Sequence, residues 1–119
     1  MITILCAPYG DGLCMRAYGH ADFAPLGQDI ICAGVSMLLQ AFLDYLRLVQ
    51  PIATEDASLE VKEGDGLLEI RTRGFGGRDL DAFSVAEAGL RRLSGRFPGH
   101  VHYLGRILDA PRFGDSRGN

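Results

Sequence analysis

Gly19-His20-Ala21-Asp22-Phe23-Ala24-Pro25-Leu26-Gly27-Gln28-Asp29-Ile30-Ile31-Cys32-Ala33-Gly34-Val35-Ser36 is where one kind of pattern gives way to another. Its first half disfavours regular structure, because two glycines and Pro25 punctuate residues 19–28. Asp29 is then a good N-cap, and a helix should follow to about Val49. Apolar residues recur there at helical spacing through Ile30, Ile31, Val35, Leu38, Leu39, Phe42, Tyr45, Leu46 and Val49. Leu43 and Leu48 carry that stripe almost around the helix, and Pro51 stops it. A helix apolar on most sides is buried on most sides, either as a central helix or against another copy.

The segments before and after this run alternate with a period of two. Ile2–Ala7 and Leu13–Tyr18 read as strands, joined through the turn-forming residues Pro8–Gly12. Leu13, Met15 and Ala17 share one face, and Cys14, Arg16 and Tyr18 the other. Leu59–Glu63 and Leu67–Arg73 form a second hairpin around Gly64-Asp65-Gly66. Its Leu59, Val61, Leu68 and Ile70 predict a packed face, and its Glu60, Lys62, Glu69 and Arg71 a wet one. Gly74-Phe75-Gly76-Gly77 reads as a connector, Leu80–Arg96 as a second helix, and Val101–Ile107 as a last strand. The tail from about residue 111 is polar and expected to be flexible. The order ββαββα(β) predicts an α+β fold, a small mixed or antiparallel sheet of two hairpins with both helices packed on one face.

Length and composition set the frame. The chain has 119 residues, which fits a single domain with a core of its own. A net charge of −3 argues against direct nucleic-acid binding, which usually shows a basic stripe. Three cysteines, Cys6, Cys14 and Cys32, form no CxxC pair, so a disulfide scaffold or zinc ribbon is not expected. The first residues lack the basic start and apolar core of a signal peptide. The longest apolar stretch, Ile30–Leu39, is interrupted by Ser36 and is too short to cross a bilayer. A soluble cytoplasmic protein with reduced thiols is the expectation, without a membrane partner.

Chemistry concentrates in the quoted run. With Asp29 as cap, Cys32 is the third helical residue, near unpaired N–H groups and the positive end of the helix dipole. Such a place stabilises a thiolate. Asp29 opposes that electrostatically, so its value is in capping or in orienting His20. Ser36 lies one turn on, on the same face as Cys32. His20 precedes Cys32 by twelve residues, and the glycine-hinged loop between them can fold back to bring the imidazole to the sulfur. Backbone N–H groups of Cys32 and its neighbours are candidate oxyanion donors. A buried cysteine can also be merely a small apolar residue, and Asp29 merely a cap. Spacing alone leaves both readings open.

Three other groupings carry weaker signals. His100 and His102 are two apart and read as an exposed strand end, since no further metal ligand is near. Arg71, Arg73 and Arg78 around the glycine connector match no phosphate-binding motif. Cys6 and Cys14 face each other in sequence across the first hairpin.

Gly19-His20-Ala21 followed by Gly27-Gln28-Asp29-Ile30-Ile31-Cys32-Ala33-Gly34-Val35-Ser36 closely resembles the two-part signature of the bacterial ribosomal-processing cysteine proteases, the Prp (YsxB-like) family. The similarity runs through both hairpins and the second helix to about residue 107. It implies a cysteine endopeptidase with Cys32 as nucleophile and His20 as base, Asp29 and Ser36 in support. Gly19, Ala21, Phe23, Leu26 and Gly27 would form the substrate loop. No metal and no cofactor are implied. The implied substrate is the N-terminal extension of a large-subunit ribosomal protein, and the implied assembly a homodimer. A non-catalytic peptide- or ribosome-binding module using the same loop is the alternative. Asp22 stands where the family often has glycine, and Gly34 where it usually has alanine.

Overall fold

Period-two alternation and two tight turns build the sheet. The computed structural model describes residues 1–10, 12–25, 28–49, 57–73 and 77–105. The elements run β1 (Ile2–Tyr9), β2 (Gly12–Gly19), α1 (Ile30–Val49), β3 (Ser58–Gly64), β4 (Leu67–Arg73), α2 (Gly77–Arg96) and β5 (Val101–Tyr103). This is the expected ββαββαβ order. The five strands lie in the order β3-β4-β2-β1-β5. Neighbours are antiparallel except β1 and β5, which pair in parallel over Ile2–Ile4. The sheet is therefore mixed.

Several boundaries differ from expectation for clear reasons. β1 continues through Pro8, which pairs with Leu13, to Tyr9. Pro8 is tolerated because, among the described residues, the ladder with β5 on that side of β1 covers only Ile2–Ile4. α2 begins at Gly77, so Gly77 and Arg78 belong to a helix and not to a connector. β5 is three residues long and shorter than expected. Leu26, Gly27, Pro51, Phe75 and the tail from 111 lie outside the described residues.

The core lies between one sheet face and the two helices. Ile2, Ile4 and Cys6 of β1, Leu13, Met15 and Ala17 of β2, and Ile70 of β4 meet Ile31, Val35, Leu39, Phe42, Leu43 and Leu46 of α1. α1 is long and apolar enough to cross a membrane by length and composition, contrary to the reading of its shorter apolar stretch. Here its buried residues are built into this core. Gly34 meets Leu93, Leu38 meets Gly89, and Phe42 meets Phe83 with ring centroids 5.7 Å apart. As residue numbers rise on α1 they fall on α2, so the helices pack antiparallel.

The outer sheet face is less wet than alternation predicts. Glu69 is only 5% exposed. Its carboxylate is ringed by Arg71 Nε at 3.0 Å, Arg16 at 3.6 Å and Lys62 at 3.9 Å. A carboxylate can be buried when cations from three strands converge on it. Cys6 belongs to the inner core, and Cys14 lies on the opposite face. The two thiols are thus separated by the sheet.

Candidate active site

β2 ends at Gly19 because its backbone turns there. Gly19 has φ 105°, and a Cβ would stand 2.3 Å from the Met1 carbonyl oxygen, so a side chain has no room. Its N–H donates to the Gly66 carbonyl at 2.7 Å, tying the strand end to the β3–β4 turn. Asp22 has φ 55°, the left-handed region that aspartate tolerates better than most residues.

Asp29 is the organising residue. Its Oδ1 accepts the N–H groups of Ile31 at 3.0 Å and Cys32 at 2.9 Å, which is N-capping. Its Oδ2 accepts Phe23 N–H at 2.9 Å and Ala24 N–H at 3.4 Å. One carboxylate thereby starts α1 and fixes the loop that leads into it. These bonds, the Cys32 N–H first among them, hold its carboxyl below the usual carboxylate range. The Asp29 bonds go to backbone N–H groups of the loop and helix, so the capping role is met directly. The expectation that Cys32 and its neighbours offer free N–H groups does not hold. Ile31 and Cys32 donate to Asp29 Oδ1, and Ala33 donates to the Asp29 carbonyl at 3.1 Å.

Cys32 sits partly buried in the first turn of α1. Its Sγ accepts the Ala21 N–H at 3.4 Å, which brings the sulfur to the residue next to His20. His20 and Cys32 line the same two cavities, of about 300 Å³ and 410 Å³, and Ser36 lines both with them. The smaller is bounded by Val35 and Gln40 of α1 and by Glu63 and Gly66 of the second hairpin. The larger opens towards Asp22 and Ala24. The His20 ring faces the turn, with Nε2 3.6 Å from Asp65 Oδ1. His20 and Cys32 thus line one cleft, and the sulfur itself is met by the Ala21 N–H.

Ala21 is 1% exposed and anchors the loop. Its carbonyl bonds His100 Nδ1 at 2.7 Å. Phe23 packs edge-on against Phe97 and His100, at 5.9 Å and 5.3 Å between centroids. His100 is therefore no exposed strand end, while His102 is exposed on β5. Phe97, His100, Asp65 and Gly66 were all missed as site residues. Asp65-Gly66 was legible as a turn, but no local spacing links it to His20.

The other thiols offer a contrast. Burial pushes the Cys6 thiol up to about 12, with Glu87 adding to it. Burial also raises that of Cys14, reinforced by Glu69. Neither lines the cavities at His20.

A thiol at a helix start that shares its cleft with an imidazole, on a two-layer α+β frame, suits a cysteine peptidase. A model of the cysteine protease Prp family matches residues 1–97, and the chain belongs to that family of cysteine peptidases. The fold is similar to that of the ribosomal processing protease Prp of S. aureus in complex with a covalently linked product peptide. That match has a TM-score of 0.73 at 18% identity, over 89% of this chain and all (100%) of that one. A second structure of that protease, with a substrate peptide, matches at 0.70 and 17% identity over the same shares, 89% and 100%. SMU.848 from Streptococcus mutans matches at 0.61 and 24% identity, over 89% of this chain and 96% of that one. No curated protein matches.

Proposed function

We propose that this peptidase removes the N-terminal extension of a large-subunit ribosomal protein, with Cys32 as nucleophile and His20 as base. The observation that carries the reading is the Cys32 sulfur, held at the start of α1 in a cleft it shares with His20. The similar S. aureus protease, a ribosomal processing enzyme bound to peptides, supports the substrate class.

His20 takes the thiol proton, giving a thiolate and an imidazolium. The thiolate attacks the scissile carbonyl carbon and a C–S bond forms. With the N–H groups of Ile31, Cys32 and Ala33 already committed, Ala21 N–H is the backbone donor aimed at the reacting sulfur. The C–N bond then breaks and the imidazolium proton leaves with the amine. A water deprotonated by His20 splits the thioester, restoring the thiol. Cavities on both sides of Cys32 leave room for residues on each side of the scissile bond. Asp29 and Ser36 support this chemistry, Asp29 through the cap and the loop. The reading includes a cytoplasmic homodimer. Exposed Ile30, Met37 and Leu48 on α1 and Val85 on α2 support a self-association face.

The test is incubation with a ribosomal protein carrying its extension, read by mass spectrometry. One new N-terminus should appear, and Cys32→Ser and His20→Ala should each lower the rate by about 10³-fold or more. Binding without cleavage, unchanged in Cys32→Ser, would favour the binding module instead. Light scattering at micromolar concentration reads the dimer separately.

A further inference from the structure

Two hairpins in this chain end in turns with a left-handed glycine, Gly10 at φ 59° and Gly66 at φ 67°. Backbone strain would make glycine favourable at both. Their surroundings differ. The nearest atoms a Cβ on Gly10 would meet, among the described residues, are those of the Arg73 guanidinium at 3.5 Å or more, which is ordinary contact. A Cβ on Gly66 would stand 2.8 Å from His20 Nε2 and 3.3 Å from two ring carbons. Beside it, Asp65 Oδ1 lies 3.6 Å from the same nitrogen. The Gly19 N–H bond to the Gly66 carbonyl, 2.7 Å, locks turn and strand end together just before His20.

We propose that the β3–β4 turn is the seat of the base: Gly66 and Asp65 are positioning residues that set where the His20 imidazole stands. This rests on the reading of His20 as base for Cys32. With Nε2 turned to Asp65, Nδ1 is the nitrogen left to take the Cys32 proton. The charge of the resulting imidazolium then lies beside the Asp65 carboxylate. The absent Cβ of Gly66 is what allows the ring to lie this close. Because the ring is the far end of a side chain, a methyl group there displaces the imidazole and leaves the sheet in place.

Four variants of the full chain test this: Gly66→Ala, Gly10→Ala, Gly64→Ala and Asp65→Asn. Gly10→Ala carries the same backbone penalty away from His20. Gly64→Ala adds a Cβ with nothing within 4 Å. Each is read by kcat and KM on the extension peptide, by the rate of Cys32 alkylation with iodoacetamide, and by Tm. Gly66→Ala should lower kcat and alkylation about tenfold or more with KM little changed, at a Tm matching Gly10→Ala. Gly64→Ala should alkylate and melt as wild type, any change falling on KM because Gly64 also lines the smaller cavity. Asp65→Asn should slow alkylation about two- to fivefold at low salt. That difference should vanish in about 1 M NaCl, because the pair is exposed. Gly66→Ala alkylating at the Gly10→Ala rate overturns the proposal. Should Gly66→Ala not fold, an Asp65→Asn chain with wild-type rate and salt response does so. Alkylation needs no peptide, so it separates this proposal from the substrate reading. Wild type labelling no faster than His20→Ala removes the base assignment itself, and this proposal with it.

Discussion

Both helices span twenty residues, both follow a hairpin, and both begin beside an aspartate, yet the two aspartates live oppositely. Asp29 accepts four backbone N–H bonds, two on each oxygen, and its carboxyl is held low. Asp79 sits in the first turn of α2, 6% exposed, with the Thr72 hydroxyl donating to it at 3.1 Å. Burial raises its carboxyl above the ordinary range, and the bonds from the Thr72 hydroxyl and the Leu80 and Asp79 N–H groups offset only part of that. A helix start is the same electrostatic environment in outline at both places. What separates them is the balance of burial and donors: at Asp29 the backbone N–H bonds outweigh desolvation, and at Asp79 desolvation outweighs the bonds. The first helix start organises a loop and a thiol, while the second joins a helix to a strand.

The largest effect should come from removing the organising carboxylate. Asp29→Ala takes away the cap and both loop bonds, so Ala21 and His20 lose their fixed relation to Cys32. Peptidase activity should fall about a hundredfold, and Tm by about 5 °C. Asp79→Asn should leave kcat and KM at wild-type values. Equal losses in the two variants would erase the contrast, and an active Asp29→Ala chain would show that the loop holds without it.

Much of this contrast was legible in the chain itself. The cap at Asp29 and the order of elements followed from local spacing, because capping and alternation are properties of neighbours. Alternation misjudged Glu69, since its burial depends on Arg16, which lies on another strand. The residues that hold the loop were invisible for the same reason. His100 meets Ala21 across 79 positions of sequence, and no period in the chain reports such a contact. Gly34 was readable as a poor helix former but not as the partner of Leu93.

The antiparallel helix contact allows a sharper comparison of middle size. A Cβ on Gly89 would lie 2.8–2.9 Å from both Leu38 methyl carbons. Gly89→Ala should therefore destabilise the fold by about 1–3 kcal/mol in denaturant unfolding. A Cβ on Gly34 would lie 3.4 Å from the nearest Leu93 carbon, in ordinary contact. Gly34→Ala should stabilise by about 0.5–1 kcal/mol through helix propensity. Both glycines sit in the same helix pair, so equal signs would mean the packing does not distinguish them.

The smallest effect concerns pH, and the two aspartates should give it opposite signs. Both start from an ordinary value of 3.8. A carboxyl lowered by folding contributes stability above its unfolded value and loses it as pH falls through the folded one. Asp29 thus steepens acid unfolding, and Asp29→Asn should lose less Tm than wild type between about pH 5 and pH 3. A carboxyl raised by folding contributes below its unfolded value, and that contribution is lost as pH rises through the folded one. Asp79 therefore weighs against the fold at neutral pH, where its charge is buried. Asp79→Asn keeps an oxygen for the Thr72 hydroxyl without that charge, so its Tm should match or exceed wild type at pH 7. The advantage should shrink as pH falls towards about 4 and be gone below it. Thermal melts of the three chains across that range measure both signs at once, and parallel curves would mean that neither helix start carries a linked proton.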